Sequence, residues 1–446
     1  MTQCIGQLGF GLLVGKQVIG EFAGGDISSD GGLMLIAAAD RRLGLTRRLA
    51  ACLGDTRQAS KVRHSTAELL AQRVYQIAAG YEDCNDAADL RRDPVLKTAV
   101  GRLPRTGPDL ASQPTLSRFE NGVGRRELWR MAQVLVEAFL AQHAGERPRR
   151  IILDFDATDD ETHGQQQFAE FHGYYDEHCY LPLLVTAQVD DGPQELLVAL
   201  LRRGRAHAGR NAVAVLRRLV ARLRAQWPGV ELVVRGDSGF ALPELYDWCE
   251  AHGVHYLIGL AKNPRLLALA QPHLEAARAA YRETGEKVRR VHEGRYAAET
   301  WPCERRVLLK AEVTAQGDNP RFVVTDLAGD ADKLYRLYAA RGEMENRIKE
   351  LKADLAIDRT SCHRFAANQF RVLLHATAYV LLCYLRTGLR GTRLAKAQVG
   401  TLQRALLKLG VRVRETARRV WLGFASSCPA QDLWPLLLTR MRAAPP

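Results

Sequence analysis

The sequence predicts an α/β protein: a helical N-terminal region, a core of short strands alternating with helices, a strand-rich insertion in that core, and a small basic C-terminal region. Three observations predict this. Up to about residue 145 the apolar spacing is mostly helical; after the polar, basic linker GERPRR the chain turns to short apolar runs; and from Arg386 onward twelve Lys and Arg face only Glu415 and Asp432, an excess of +10. Helical spacing repeats near 3.6 residues and strand spacing near 2, so the switch at the linker marks a change of architecture.

In order, SSDGGLMLIAAADRRLGLTRRLAACL opens the helical region at a Ser/Asp cap, a second helix runs from Ser65 through Gly80, and a third starts near Ser112, where Pro114 suits a first turn. Between them Arg91, Arg92, Lys97, Arg102 and Arg105 form a basic band. Such a band suits phosphate contact, and a solvated face is the alternative for each member. After the linker, IILDFDAT, YLPLLVTAQV and ELLVALLRRG read as three sequential strands. A cationic helix from Asn211 to Trp227, the strand VELVVRGDSG, a helix from Pro243 to His252 and the strand HYLIGLA follow. Three strands, helix, strand, helix, strand is the order of a ribonuclease-H-like core. From 264 to 326 a helix and the strand-like pieces RRVLLKAEV and RFVVTDL read as an insertion before the core resumes. The expected divisions are 1–145, 146–263, 264–326, 327–385 and 386–446.

Composition narrows the function classes. A chain of 446 residues with 47% hydrophobic and 25% charged content is an ordinary globular protein, and a net charge of +13 points to a polyanionic partner, nucleic acid above all. The nine cysteines are odd in number, scattered and never form a CxxC pair, which fits reduced thiols of a cytosol without zinc. His163, His172, His178 and Cys179 fit no compact zinc spacing. The N-terminal stretch lacks the basic head and cleavage site of a signal peptide, and Val372–Leu385, the most apolar run, falls short of the roughly 20 residues that span a bilayer. It reads as a buried core helix.

The chemistry gathers in three places. On the first strand, alternation puts Ile152, Asp154 and Asp156 on one face and Ile151, Leu153 and Phe155 on the other. Unpaired buried charge costs several kcal/mol, so carboxylates ending a buried strand usually bind a cation or serve a site. The fourth strand runs into Gly236-Asp237-Ser238-Gly239, a tight turn that holds Asp237 at the strand's carboxyl end. The first and fourth strands are neighbours in the expected order, so Asp156 and Asp237 converge. The third place is a helix on which Tyr338, Arg341, Glu345 and Lys352, spaced three, four and seven apart, return to one side, while Glu343 and Glu350 point away. A solvated helix laced with i,i+4 pairs is the bland alternative. Three carboxylates without His or Cys suit Mg²⁺ or Mn²⁺, two ions per site, and with them phosphodiester chemistry. Arg341 and Lys352 would then hold phosphates and Tyr338 would pack nearby.

These residues resemble the DDE transposases of bacterial insertion sequences, in the group with a Y-R-E-K signature. Tyr338, Arg341, Glu345 and Lys352 match that signature; Asp156-Ala157-Thr158 matches the D-x-T strand end, which favours Asp156 over Asp154 as first carboxylate; and Gly236–Gly239 matches the second aspartate turn. FAGGDISSDGGLMLI, SQPTLSRFEN, THGQQ with FHGYYDEHCYLPL, and DRTSCHRFAANQFRVLLHATAY look like the insertion-sequence family numbered thirteen-eighty.

The resemblance implies a ribonuclease-H-like catalytic core with a β-rich insertion, for which the separation of 108 positions from Asp237 to Glu345 leaves room. It implies catalytic, metal-binding Asp156, Asp237 and Glu345, with Asp154 as a further ligand, and metal-dependent nicking at terminal inverted repeats followed by attack of the freed 3′-hydroxyl on target DNA. Trp301, in the insertion, is the candidate to cap a displaced base. Arg359 and Arg371, in a polar cluster with Asp358, His363 and Asn368, are candidate DNA contacts, with plain surface hydrogen bonding the alternative; His163 and Gln165 are candidates to line the DNA channel. Also implied are a homodimer on double-stranded DNA and a cytoplasmic, nucleoid-associated bacterial protein without membrane attachment. A metal-dependent nuclease on the same core and a catalytically silent DNA-binding regulator are the rival readings.

Overall fold

The computed structural model describes residues 7–442 apart from Thr56, and the chain divides into two compact units, residues 123–376 and the residues on either side of them. The chain is mixed α/β. Among the described residues no helix is long and apolar enough to cross a membrane.

Residues 123–376 begin with α1 (Arg125–Gln142) and β1 (Arg150–Ala157), then a small three-stranded sheet of β2 (Asp160–Glu161), β3 (Glu170–His172) and β4 (Glu177–Tyr180). β5 (Leu183–Val189), β6 (Gln194–Leu200), α2 (Ala212–Gln226), β7 (Glu231–Gly236), α3 (Pro243–Ala251) and β8 (His255–Leu260) follow. The stretch read as an insertion holds α4 (Pro264–Thr284), β9 (Val288–Tyr296), β10 (Arg305–Thr314), β11 (Gly317–Asp318) and β12 (Arg321–Thr325). Then come α5 (Ala331–Ala339), α6 (Gly342–Lys349) and the first half of α7 (Phe365–Gly388).

The strands form one nine-stranded mixed sheet in the order β9-β10-β12-β8-β7-β1-β5-β6, with β11 beside β10. β7 runs parallel to both β1 and β8, and the remaining pairs are antiparallel. The pieces RRVLLKAEV and RFVVTDL are therefore strands, but they extend the central sheet: β12 pairs with the outer edge of β8, where unpaired backbone groups would otherwise face solvent. The alternation read in β1 sets the layers. Ile151, Leu153 and Phe155 pack with Leu216, Leu219 and Leu245 of α2 and α3, while Ile152 packs on the other face with Val233, Leu257 and Tyr335 of α5. Each such burial contributes roughly 1.5–3 kcal/mol. The face that carries Asp154 and Asp156 is thereby covered by the segment that carries Arg341 and Glu345.

The flanking unit opens with an exposed β-hairpin, Leu8–Leu13 and Lys16–Gly20, ahead of the first helical pattern. Val14 and Gly15 both have positive φ, the signature of a two-residue hairpin turn. Helices follow. Leu33–Leu43 is capped by Gly32 and not by the expected Ser/Asp; Asp30 is buried, accepting from Tyr81 Oη (2.7 Å) and pairing with Lys408 Nζ (2.8 Å). Thr66–Ala78 starts with a Ser65/Glu68 capping box and Gln113–Asn121 follows Ser112, as the spacing predicts. A fully buried Arg73–Glu120 pair at 2.7 Å joins these two helices. The basic band is largely spent inside the unit: Lys97 donates to Gly107 O (2.7 Å), Arg102 pairs with Glu68 (2.8 Å), and Arg92 with Asp109 (3.2 Å). Cys4 lies outside the described residues; the other eight cysteines are free thiols.

Candidate active site

Asp156 and Asp237 are delivered by neighbouring parallel strands. The β1/β7 register pairs Phe155 with Gly236, so the two aspartates leave the sheet side by side at its carboxyl edge. Asp156 Oδ1 accepts from Ala157 N (2.9 Å), and Asp237 Oδ1 accepts from Gly239 N (2.9 Å), which caps the turn Ser238–Phe240. Burial pushes the Asp156 carboxyl up to about 6, the Arg341 charge pulls it back, and the charge of Asp237 pushes it further.

Arg341 joins this pair to the third carboxylate. Its Nη1 donates to Asp156 Oδ2 at 2.7 Å and its Nη2 lies 3.6 Å from Glu345 Oε1, with Asp156 nearly buried and Glu345 58% exposed. The helix that carries them is not continuous, as the even spacing had implied. Arg341 N bonds Tyr338 O and Met344 N bonds Arg341 O, three-residue closures that separate α5 from α6 and swing the chain past Asp156. A π-helical turn, Glu350–Asp354, then carries Lys352.

Met344 seats this segment. It is fully buried and accepts from Thr186 Oγ1 (3.2 Å) on β5, in register with Asp154. Glu345, the next residue, is thereby turned to the open side. Tyr338 Oη lies against Gly259 of β8: a Cβ there would sit 2.5 Å from Oη and 3.3 Å from Ser238 N, so only glycine lets the phenol rest over the Asp237 turn. Burial raises the Tyr338 phenol above its ordinary range, and the Asp237 charge adds to this.

Lys352 also lies at this edge. Its Nζ is 2.9 Å from Asp159 Oδ2 and 3.9 Å from Asp358 Oδ2. Asp159 and Asp160, just past the end of β1, are thus both engaged, Asp160 being buried in β2 and accepting from Thr360 Oγ1 (2.8 Å). Tyr175 stands nearby; burial, then the charges of Asp159, Tyr174, Asp156 and Asp237, push its phenol up to about 12.

Three expected site residues sit in other roles. Asp154 has no exposed surface, and its carboxylate is gripped bidentately by Arg235 Nε and Nη2, both at 2.7 Å, with Gln194 Nε2 at 2.6 Å. No oxygen remains to face a cation, so the expected ligand is the anion of a buried ion pair. Arg235 also donates to Leu337 O (2.6 Å), tying the sheet to α5. Arg371 is buried and donates to Ser361 Oγ (2.7 Å) and Arg359 O (3.3 Å); Asn368, fully buried, clamps Cys362 through its backbone. Both brace the loop before α7, and Arg359 stays exposed. Trp301 is half-buried and packed in an aromatic cluster, its ring nearly perpendicular to those of Tyr246 (5.2 Å) and Tyr296 (5.4 Å), with the Arg305 guanidinium over it at 5.6 Å. A cavity of about 690 Å³ between α1, α2 and β6 contains none of these carboxylates.

Sequence reading missed Arg235, Gln194, Met344, Gly259 and Tyr175. Arg235 left a signal, a cation inside the apolar run VELVVR, which in a buried strand needs a partner. Asp156, Asp237 and Glu345 supply only hard oxygen donors, with the Arg341 cation between two of them, a set that fits a divalent cation of the Mg²⁺ type. Among the described residues no group of three His, Cys, Asp or Glu is drawn together closely enough to form a ready-made metal cage.

No curated protein matches the sequence. Residues 10–446 match the family described as Transposase DDE domain group 1, which is nearly the whole chain. The chain therefore belongs to the DDE transposase family.

Proposed function

We propose that the protein cuts and joins DNA at the terminal inverted repeats of an insertion sequence of the thirteen-eighty type, using Asp156, Asp237 and Glu345 at the edge of a ribonuclease-H-like core. The observation that carries this is the placement of Asp156 and Asp237 at adjoining parallel strand ends, linked through Arg341 to Glu345. The strand order β6-β5-β1-β7-β8, with β7 parallel to both neighbours, supports the ribonuclease-H-like assignment.

Asp156 and Asp237, with Glu345 swinging in from its exposed helix, would hold two Mg²⁺ or Mn²⁺ ions. Such ions activate an attacking oxygen and stabilise a leaving one in phosphoryl transfer. The chain's own residues do the rest. Arg341 neutralises Asp156 while no cation is bound, and once displaced its planar fork is placed to grip a phosphate beside the scissile bond. Lys352, held by Asp159 just past the end of β1, supplies a second cation, and Tyr338 packs over the Asp237 turn. Exposed Arg359 extends this positive edge. Two copies of the chain, one per DNA end, would pair the repeats in a cytoplasmic, nucleoid-associated complex.

A plasmid carrying the repeats that flank the gene tests this in cells. Excision is expected with the wild-type protein and not with Asp237→Asn at equal protein level. Equal excision by both would refute the assignment, and absence of excision with retained repeat binding would favour a silent regulator.

A further inference from the structure

The C-terminal strands Val411–Glu415 and Val420–Phe424 form an antiparallel hairpin with two unlike faces. Val411 and Val413 are buried, and Phe424 packs on Trp434 (4.7 Å). The opposite face carries Arg412 paired with Gly423 and Arg414 paired with Trp421, all exposed. A third strand, Ile27–Ser28, pairs with Val411 and Arg412, and Val413 N donates to Asp26 O (2.7 Å), so from Arg414 to Trp421 the element is a two-stranded ribbon. Its turn is closed by Thr416 N to Arg419 O (2.8 Å) and presents Arg418 and Arg419 to solvent.

Among the described residues Arg412, Arg414, Arg418 and Arg419 have no carboxylate partner, whereas Glu415 is occupied by Arg105 N (2.8 Å), Thr106 N (3.2 Å) and the Thr106 hydroxyl. Trp421 is 48% exposed, with the Arg414 and Arg419 guanidiniums 6.0 and 5.6 Å from its ring. An exposed indole flanked by unneutralised guanidiniums is a surface prepared for a polyanion with apolar faces. Gly423 strengthens this: a Cβ there would meet nothing closer than Arg412 O at 3.7 Å, so the fold does not require glycine, and its bare backbone lowers the ribbon's outer face. A two-stranded ribbon is one of the shapes the major groove of duplex DNA admits.

We propose that the ribbon Val411–Phe424 docks in the major groove of duplex DNA, with the Arg412, Arg414 and Trp421 face toward base edges and the Thr416–Arg419 turn against phosphates. The inference rests on the DNA reading above and adds a contact element far in sequence from the carboxylates.

Fluorescence anisotropy with full-length protein and a labelled duplex of its own terminal repeat, from 50 to 300 mM salt, tests it. Losing two phosphate contacts in Arg418→Ala/Arg419→Ala is expected to flatten the log affinity versus log salt slope by about 2. Trp421→Ala and Gly423→Val are each expected to weaken binding roughly tenfold while the melting temperature holds, because both residues face outward. A wild-type slope in the double variant, or wild-type affinity in both single variants, overturns the proposal. Nicking of the same duplex with Mg²⁺ separates the two ideas. If the wild type nicks while Trp421→Ala and Gly423→Val both bind as tightly, the ribbon is wrong and the transposase reading stands. If the wild type neither binds nor nicks, the DNA reading falls and takes the ribbon with it.

Discussion

Replacing Asp154 by Asn separates a structural carboxylate from a metal-binding one. In the wild type Arg235 and Asp154 have no exposed side-chain surface, and two bonds of 2.7 Å join them. Asparagine keeps the shape and removes the charge, leaving the guanidinium buried without an anion. Breaking a buried pair in this way costs about 3–5 kcal/mol. For a unit the size of residues 123–376, 1 kcal/mol moves the melting temperature by about 2–4 °C, so a fall of roughly 10 °C is expected. Removing both charges, as Asp154→Leu with Arg235→Met, should recover most of this, less about 1–3 kcal/mol for the unmet Leu337 carbonyl. Thermal melts followed by circular dichroism give the stability, and Mn²⁺ titration below the melting range gives the metal. Asp154→Asn should melt early and still bind Mn²⁺, whereas Asp156→Asn should lose Mn²⁺. An Asp154→Asn protein that melts within about 2 °C of wild type and no longer binds Mn²⁺ would refute the buried-pair argument.

Further outcomes follow from particular contacts. Met344→Ala removes a fully buried side chain that seats the Glu345 helix, with an expected cost of about 2–5 kcal/mol in urea unfolding and weaker nicking; unchanged stability would show the helix is held elsewhere. Gly259→Ala forces the Tyr338 hydroxyl from the Asp237 turn, so nicking should fall while repeat binding persists, and full activity would remove Tyr338 from the site. His143 is raised to about 9: burial alone would lower it, but Glu195 at 2.7 Å and then Glu146 at 2.9 Å outweigh that. A raised histidine binds its proton more tightly when folded, so its stabilisation is complete below about pH 6.5 and lost as pH rises through about 9, roughly 3 kcal/mol in all. Urea midpoints should fall across that window in wild type, and a His143→Gln protein with the same fall would refute the assignment.

What the sequence disclosed was local. The alternation of IILDFD is a property of six consecutive residues, and the Gly236–Gly239 turn of four, so the faces of β1 and the position of Asp237 followed directly. The neighbouring of β1 and β7 also followed, from element order alone. What stayed hidden depends on register between distant segments. Asp154 meets Arg235 only because residue pairs 81 apart align across two parallel strands, so although the spacing to Thr158 favoured Asp156 as first carboxylate, nothing local showed that Asp154 has a buried partner. The break after Ala339 and the π-helical turn at Lys352 depart from the 100° wheel on which one continuous stripe was drawn. Arg102, Lys97 and Arg371 read as cations for DNA because charge is visible in sequence and its internal engagement, by the Glu68 carboxylate, the Gly107 carbonyl and the Ser361 hydroxyl, is not.

The most direct measurement of the central claim is strand nicking by purified protein on labelled duplex carrying its own terminal repeats, with Mg²⁺, for wild type, Asp156→Asn, Asp237→Asn and Glu345→Gln. Cleavage at the repeat boundary by wild type alone, with all four proteins binding the duplex, is the expected result. Cleavage that survives in any of the three variants, or bound wild type that leaves the boundary intact with both Mg²⁺ and Mn²⁺, would contradict the assignment of these carboxylates.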